Sequence, residues 1–454
     1  MDTRALLIDA VNRAANYLDS LPTRSVGPSP DAITALAQFD RTLPAHPRNA
    51  DEILQELDEL GSPGTSASAG GRYFGFVIGA TLPAALAANI LATAWDQNAG
   101  LVVISPTTAK LENVALRWLL DALHLPPASG AGFVTGATMA NFTCLAAARH
   151  ALLKGAGWNV EEQGLFGAPP LTVVVGDEVH ITLLKALSLL GLGRARVTRV
   201  PTDGQGRMRA EMLPPLDDRT ILCLQAGNVN TGAFDPMAPL IARARAAKAW
   251  VHVDGAFGLW AAAAPTRAAL VAGVADADSW ALDAHKWLNV PYDSGVAICR
   301  DVQALRGATA VSAAYLVQGA EREPAEYTPE LSRRARGVDV WAAMSSLGRS
   351  GIAEMIERSC AQASRFSTGL RAAGFEILND VVLNQVLVSF GDDETTRRVI
   401  AAVQVDGTCW CGGTVWHGRT AMRISVSSWA TTNADVELSL AAMIRVASDV
   451  LAAH

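Results

Sequence analysis

The chain has 454 residues, of which half are hydrophobic and 18% charged, and 37 Lys and Arg against 44 Asp and Glu give a net charge of −7. This composition excludes an intrinsically disordered chain, which needs low hydrophobicity and a high net charge. Six Cys scattered over so long a chain exclude a small disulfide-stabilised scaffold, and the weak negative charge gives no general attraction to nucleic acid or to an anionic membrane.

Residues 1–71 are predicted to form an N-terminal helical segment. Apolar residues at helical spacing predict an amphipathic helix over 5–18 and a second, short helix over 51–60. The Gly- and Ser-rich stretch 61–71 is the best candidate for a linker. The most apolar stretch, 81–95, is too short and too interrupted to span a bilayer, so we expect a soluble, cytoplasmic protein.

Short apolar runs alternate with helical patterns over residues 72–337. Continuous runs such as 131–134 and 250–253 predict strands buried on both faces, which is typical of a mostly parallel sheet covered by helices. Residues 315–337 are charged and broken by Pro, and they predict a long loop of functional importance. The alternation resumes over 338–454 and predicts a smaller C-terminal α/β domain.

Two polar residues follow predicted strands directly. Asp254 stands at the carboxyl end of the strand over 250–253, and ligands of open α/β sheets bind outside the carboxyl ends of the strands. A structural alternative is that Asp254 only caps the next turn. His180 follows the strand over 171–175, although a single histidine there is more often a packed core residue.

Lys286 stands among apolar and aromatic residues in the segment Ala-His-Lys-Trp-Leu-Asn. Desolvation favours the neutral amine of a buried lysine, which is the nucleophile that forms a Schiff base, unless the side chain extends its amine into water. Small residues Gly136, Ala137 and Thr138 follow the strand over 131–134 and begin a helix, which is typical of an anion-binding N-terminus. The alternative is a tight turn capped by Thr138.

In this order, the motifs resemble those of the group II pyridoxal-phosphate-dependent decarboxylases, which include glutamate and aromatic L-amino-acid decarboxylases. The resemblance extends from about Arg72 to Thr432, and its His-Lys-Trp-Leu-Asn segment is highly specific. It implies pyridoxal 5′-phosphate (PLP) as cofactor and the type I, aspartate aminotransferase-like α/β fold, with a mostly parallel central sheet, helices on both faces and a smaller C-terminal α/β domain. It also implies a homodimer with active sites at the interface.

The resemblance gives roles to residues around the cofactor ring. Lys286 looks like the lysine that forms the internal aldimine, and Asp254 resembles the aspartate that keeps the pyridine nitrogen protonated. His180 resembles the histidine stacked on one face of the ring, and Ala256 matches the small residue on the other face. Decarboxylation would then proceed through a quinonoid, with the protonated ring as electron sink.

Further positions match the phosphate and substrate sites of the family. Gly136, Ala137 and Thr138 match its phosphate loop, and His285 resembles a histidine near that phosphate. Arg423 is similar to the C-terminal-domain arginine near the substrate carboxylate. These matches predict the residues that would anchor the two charged ends of the bound molecules.

Three positions bear on the precise reaction. Tyr327 is the candidate for the loop tyrosine that protonates the former α-carbon, with His180 as the competing acid. Asn228 could donate to the phenolic oxygen of the cofactor, where many relatives have a threonine nearby. Asp283 replaces the Asn that aromatic-specific relatives have near the phosphate, and an acid there is unfavourable unless it is paired.

The substrate-side segment 72–81, including Phe76, is largely apolar, which favours an apolar or aromatic substrate over an acidic one unless Arg72 points inward. We therefore predict α-decarboxylation of an L-amino acid to an amine and CO2. The same residues are compatible with oxidative deamination, transamination or retro-aldol cleavage.

A catalytically silent homologue that acts as a dimeric binding protein is a third hypothesis, and the intact Lys286 argues against it. Cys409 and Cys411 with His417 lack the paired spacing of a zinc site, so we predict no metal. We also expect no nucleic-acid or membrane partner and a small amino acid as substrate.

Overall fold

The computed structural model describes residues 2–310 and 322–453. The chain divides into two compact units. The small unit comprises Met1–Ala80, Gln362–Leu378 and Val386–His454, and the large unit comprises Thr81–Ala361 and Asn379–Gln385. Within the described residues, every helix is too short or too polar to cross a membrane. The predicted domain boundaries after residues 71 and 337 stay a prediction.

The helices follow in chain order, and the predicted first helix is confirmed, with the Asp2 side chain accepting from the Ala5 N–H at its N-terminus. The helix α13 contains a kink at Gly348, where φ is 59°. The bounds are α1 Thr3–Ser20, α2 Pro30–Ala35, α3 Ala50–Glu56, α4 Ser62–Gly64, α5 Pro83–Trp95, α6 Pro106–Ala122, α7 Ala137–Gly155, α8 Val160–Gln163, α9 Ile181–Leu189, α10 Met237–Ala246, α11 Ala284–Trp287, α12 Val302–Thr309, α13 Arg336–Ala372, α14 Asp393–Asp406 and α15 Asn433–Ala452.

A seven-stranded mixed sheet forms the centre of the described part of the large unit. Its strands are β1 Gly130–Val134, β2 Thr172–Gly176, β3 Thr198–Val200, β4 Thr220–Gln225, β5 Trp250–Asp254, β6 Ser279–Asp283 and β7 Gly295–Cys299. The spatial order is β1-β7-β6-β5-β4-β2-β3, with β7 antiparallel to both neighbours and the other pairs parallel. All residues of β1, β5, β6 and β7 are buried, so both faces are covered, as the continuous apolar runs predict.

A second sheet belongs to the small unit. Its strands are β8 Glu376–Ile377, β9 Gln385–Ser389, β10 Gly412–Trp416 and β11 Arg419–Ser425, in the spatial order β10-β11-β9-β8. The helices α14 and α15 pack on each other, and α14 packs on β11. The helix and strand patterns expected near the C-terminus are confirmed.

The edge strand β1 is covered by the segment that precedes α13. Arg322 donates to the carbonyl of Ala131, and Arg333 donates to the carbonyl of Phe133 at 3.0 Å. Both guanidinium groups pair with Glu112, which is 2% exposed, at 3.0 and 2.5 Å. The family resemblance also implies that the loop 315–337 is mobile, and this stays a prediction: residues 315–321 lie outside the described residues, and these contacts hold the remainder.

Candidate active site

The carboxyl ends of β1, β5 and β6 lie at the same edge of the central sheet. Strands β5 and β6 are parallel, and β1 and β6 both run antiparallel to β7, so all three end on the same side. Asp254 ends β5, Asp283 ends β6, and Gly136 follows β1. Backbone contacts join these ends, because the Asp283 N–H donates to the Ala256 carbonyl at 2.9 Å. This edge is where ligands of α/β sheets bind.

Asp254 is 5% exposed, and both of its carboxylate oxygens are oriented by hydrogen bonds. Asn141 Nδ2 on α7 donates to Oδ2 at 3.1 Å, and the Ala256 N–H donates to Oδ1 at 3.2 Å. A carboxylate held in this way presents a fixed negative charge at the strand end. Ala256, predicted to flank the cofactor ring, thus also positions Asp254.

The hydrogen bonds continue inward from Asn141 to residues that the site prediction did not include. Because the Asn141 amide donates to Asp254, its Oδ1 is an acceptor, and His252 Nε2 must donate to it at 2.8 Å. His252 Nδ1 then accepts from Ser279 Oγ at 2.9 Å, and Ser279 Oγ accepts from Trp250 Nε1 at 3.0 Å. Complete burial lowers the pKa of His252 to about 3, so the imidazole is neutral and its tautomer is fixed.

Lys286 lies in the short helix α11, directly after β6. Its amine is 2.9 Å from Asp283 Oδ2, and about one fifth of its side chain is exposed. The neighbours His285 and Trp287 are buried. The side chain does not simply extend into solvent, which was the structural alternative. Its amine is held at the strand end and is still within reach of a small molecule.

The N-terminus of α7 lies against this strand end. Asp283 Oδ1 accepts from the Ala137 N–H at 2.5 Å, and Gly136 makes no side-chain cap. A Cβ on Gly136 would lie 3.1 Å from His285 Cε1 and 3.2 Å from Asp283 Oδ1. Thr138 is half-buried in the first turn. The predicted loop 136–138 is thus brought together with His285, Asp283 and Lys286.

His285 is oriented by the turn before β7. Its Nδ1 accepts from the Ser294 N–H at 3.1 Å, and its ring centroid is 4.3 Å from that of Tyr292. Burial lowers the pKa of His285, more than the neighbouring Asp283 raises it. The imidazole therefore supplies steric support near the helix N-terminus more readily than a positive charge.

His180 is the N-cap residue of α9 and lines the same cleft as Asp254. Its Nδ1 accepts from the Thr182 N–H at 3.3 Å and is 2.7 Å from the Thr182 hydroxyl, which leaves the proton of the neutral ring on Nε2. His180, Asp254, Gln225 and Asp235 are among the residues that line one narrow cleft. The structure thus brings His180 and Asp254 together, as predicted.

Asn228, whose predicted contact with the cofactor stays a prediction, and Asp235 are two further residues near this cleft. Asn228 is buried, its Oδ1 accepts from the Asn230 and Thr231 N–H groups, and its Nδ2 donates to Gln225. Its side chain is thus engaged in shaping the turn after β4. Asp235, which sequence reasoning did not include, accepts from the Gln225 N–H at 2.7 Å, and burial raises its pKa to about 6.

Tyr327 is not brought to Lys286 within this chain. Its ring is 9% exposed in an apolar cluster, beneath the Arg322 guanidinium at 4.1 Å. It packs beside Gly130, at the start of β1, whereas Gly136 follows the end of the strand. Six residues of strand span about 20 Å. The expectation that Tyr327 is the loop acid is therefore unsupported at the site of its own chain.

Phe76 and Arg423 belong to the small unit. Arg423 lies in β11 opposite Gly412, and burial lowers its pKa. Phe76 is 58% exposed, and its ring stacks on Trp410 with centroids 6.0 Å apart. Their predicted roles in binding the substrate stay predictions.

A partly buried lysine, a strand-end carboxylate and a helix N-terminus in this fold are the features of a PLP-dependent enzyme. The family model of the pyridoxal-dependent decarboxylase conserved domain matches residues 32–391, and the chain belongs to this family. The expected family, fold and cofactor are thus confirmed, and the protein is a PLP-dependent carboxy-lyase.

Individual relatives agree with this assignment. Tryptophan decarboxylase 1 of Oryza sativa is 27% identical over 94% of this chain and 90% of its own length. The aromatic-L-amino-acid decarboxylase of Bacillus atrophaeus is 27% identical over 85% of this chain and 81% of its own. A crystal structure of Oryza sativa TDC with PLP and tryptamine has a TM-score of 0.90 at 24% identity and covers 99% of this chain and 98% of that chain.

The residues around Lys286 fit PLP in chemistry. Asp254 offers a fixed anion for a pyridinium nitrogen, and Lys286 offers an amine for an aldehyde. The Gly136 backbone leaves room at the start of α7 that a larger residue would fill. Asp283 is the one component of this set whose charge disfavours a phosphate group, and Lys286 partly neutralises it. Among the described residues, no group of three His, Cys, Asp or Glu forms a metal site.

Proposed function

We propose that the protein decarboxylates an L-amino acid with an apolar or aromatic side chain to the amine and CO2. The observation that carries the substrate class is the engagement of Arg72. Its guanidinium donates to the carbonyls of Thr408, Pro22 and Arg24 at 2.5, 2.9 and 3.1 Å, all within the small unit. With these bonds made, the arginine of the predicted substrate-side segment is not available for a second substrate carboxylate.

The relatives support the same class. Besides the tryptophan and aromatic-amino-acid decarboxylases, tyrosine decarboxylase 4 of Petroselinum crispum is 24% identical over 94% of this chain and 89% of its own length. Each of these names an aromatic amino acid as substrate. An aromatic substrate therefore agrees with both the relatives and the engaged Arg72.

We assign roles to the residues at the strand ends as follows. Lys286 binds the cofactor aldehyde, and the carboxylate of Asp254 holds a proton on the ring nitrogen. Asn141 keeps Asp254 in position, and Ala256 and His180 flank the ring. PLP, when bound, supplies an electron-withdrawing ring that accepts the electrons released as CO2 leaves. These residues thereby stabilise, within the cofactor ring, the electron pair that departing CO2 leaves behind.

His180 is our candidate for protonation of the former α-carbon. The transfer starts from the imidazolium and leaves a neutral imidazole: Nε2 gives up its proton, and Nδ1, 2.7 Å from the Thr182 hydroxyl, keeps the other. The ring lines the same cleft as Asp254, whereas Tyr327 lies in an apolar cluster. Neither glutamine nor leucine can transfer a proton to carbon, so His180→Gln and His180→Leu are expected to lose turnover to the same extent, and a clearly higher turnover of His180→Gln would contradict proton transfer by His180.

Aldehyde formation is the second candidate, and two relatives favour it. Phenylacetaldehyde synthase of Arabidopsis thaliana is 24% identical over 87% of this chain and 85% of its own length. The 4-hydroxyphenylacetaldehyde synthase of Rhodiola rosea is 26% identical over 90% and 86%. In that case decarboxylation would be coupled to oxidative deamination by O2, with ammonia and hydrogen peroxide as further products. Transamination and retro-aldol cleavage use the same lysine and would yield no such peroxide.

A substrate screen tests the proposal. The purified holoenzyme is supplied with L-Trp, L-Tyr, L-Phe, L-Leu and L-Glu, and CO2, amine, aldehyde, ammonia and peroxide are assayed together. CO2 and amine in equal amounts from an aromatic or apolar substrate support decarboxylation. Peroxide and aldehyde in amounts equal to CO2 select the second candidate. Faster CO2 release from L-Glu than from every other substrate contradicts the proposed class.

We also propose a cytoplasmic homodimer. The helix α1 buries none of its residues within the described chain and exposes Leu7, Ile8 and Val11, each 47–56% accessible. Such an apolar row favours an association that covers it. Light scattering on the purified protein is expected to give twice the chain mass, and a monomer at micromolar concentration would contradict this part of the proposal.

A further inference from the structure

Asp283 is a buried carboxylate that caps a helix of a different part of the chain. It ends β6 and is 2% exposed. Its Oδ1 accepts from the Ala137 N–H at 2.5 Å, and its Oδ2 is 2.9 Å from Lys286 Nζ. His285 Nε2 lies 3.6 Å from Oδ1. The first amide of α7 therefore already has an anionic partner supplied by the protein.

A helix N-terminus stabilises a negative charge through its unpaired amides and its dipole. A phosphate group at this position would need the Ala137 amide that Asp283 now holds. It would also lie within a few ångströms of the carboxylate, and two like charges at that distance disfavour one another. An asparagine of nearly the same shape would remove the negative charge and offer a donor in its place.

We propose that Asp283 competes with the phosphate group of PLP for the N-terminus of α7 and thereby weakens the affinity of this enzyme for its cofactor. The inference rests on the proposed phosphate-binding role of Gly136, Ala137 and Thr138. The carboxylate occupies the Ala137 amide in the cofactor-free chain and releases it when the phosphate binds. The contact between Asp283 and Lys286 gives the displaced carboxylate a positive partner during this exchange.

The experiment compares PLP with pyridoxal, which has the same ring and aldehyde and lacks the phosphate. Dissociation constants of both are measured by equilibrium dialysis for the wild-type chain and for Asp283→Asn, with Asp283→Ser as a second variant if the first does not fold. Asp278→Asn is the matched control, since Asp278 precedes the same strand and also accepts from a backbone N–H, that of Val251 at 2.7 Å. Inorganic phosphate is then titrated as a competitor of PLP.

We expect Asp283→Asn to bind PLP on the order of ten- to a hundredfold more tightly than the wild type. The affinity for pyridoxal should change by less than about threefold, because only the phosphate meets the carboxylate. Inorganic phosphate should inhibit PLP binding more strongly in the variant. The Asp278→Asn control should match the wild type for both compounds.

Two kinds of failure are separable. If Asp283→Asn tightens PLP and pyridoxal equally, Asp283 acts on Lys286 alone and the competition is refuted. Unchanged or weaker PLP binding by the variant also refutes it. If both the wild type and Asp283→Asn bind the two compounds equally, the phosphate-binding role of residues 136–138 is wrong as well.

Discussion

Substitutions of His252 test whether its hydrogen bond to Asn141 holds Asp254 in place. The replacement His252→Gln keeps an N–H at the position of Nε2, from which His252 donates to Asn141, and removes the titrating ring. His252→Leu is the matched control, because leucine has a similar size, does not titrate and cannot donate. Both variants remove the titration, and only the leucine variant removes the hydrogen bond.

The magnitude follows from the pKa of His252, which burial lowers from 6.5 to about 3. Below pH 6.5 His252 binds a proton in the unfolded chain but not in the folded chain. The free energy of unfolding therefore falls as the pH decreases towards 3. Each pH unit in that window removes about 1.4 kcal/mol. Between pH 7.5 and 5.5 the wild type should therefore lose about 1.4 kcal/mol that neither variant loses.

The assay is urea unfolding without added cofactor, followed by tryptophan fluorescence at pH 7.5 and 5.5. Asp235 and Asp339, whose pKa values burial raises to about 6, titrate in the same range. They are present in all three proteins and cancel when the pH effects are subtracted. Affinity for PLP is measured in parallel by dialysis, and the leucine variant should lose about 1–3 kcal/mol of binding free energy because Asn141 lacks its donor.

Equal pH dependence in the wild type and in His252→Gln would refute this reasoning, since it would mean that His252 is not held neutral by burial. Equal PLP affinity in the glutamine and leucine variants would show that the hydrogen bond from residue 252 does not position Asp254 through Asn141.

Three further predictions use other parts of the large unit. Glu112→Gln should destabilise the protein by about 3–5 kcal/mol in urea because it removes the carboxylate that pairs with the buried Arg333. The exposed Glu354→Gln should change stability by less than about 0.5 kcal/mol. Gly295→Ala places a Cβ 2.5 Å from the Cα of Gly136, the glycine before α7. It should lower the free energy of unfolding by about 1–3 kcal/mol and weaken PLP binding in dialysis. Gly155→Ala is the control, because the Cβ added there lies within 4 Å of no described atom. Tyr327→Phe should leave the ratio of amine to aldehyde unchanged in the product assay, and a shift towards aldehyde would restore this tyrosine as the acid.

The strand ends could be predicted from the sequence because each lies within one local pattern. A buried apolar run locates the end of β5, and Asp254 follows from that end alone. His252 is two residues earlier on the same face of the strand, so period-two alternation could have linked it to Asp254. Asn141 was visible as a polar residue in the apolar helix α7. Its partners on β5, Asp254 and His252, were not visible, because the packing of α7 on that strand depends on the order of strands in the sheet.

The remaining differences between prediction and structure come from contacts between residues that are far apart in the sequence. Tyr327 lies in the charged, Pro-broken segment 315–337, and that position suggested a loop residue. Its actual neighbour is β1, nearly two hundred residues earlier, and only the spatial order of the sheet makes β1 an edge. Arg72 lies in the apolar segment predicted to line the substrate site. Its guanidinium instead donates to backbone carbonyls, including that of Thr408, 336 residues away in the sequence.

The covering of β1 has a consequence for synthesis of the chain. The carbonyl of Phe133 is met by Arg333, 200 residues later, and at about 5–20 residues per second a ribosome needs about 10–40 s to add them. During that interval the edge of the nascent sheet has no cover of its own, and exposed strand edges recruit other chains. We therefore expect a truncated chain that ends before Arg333 to need chaperones to prevent aggregation at β1. In the completed chain Arg333 covers this edge strand.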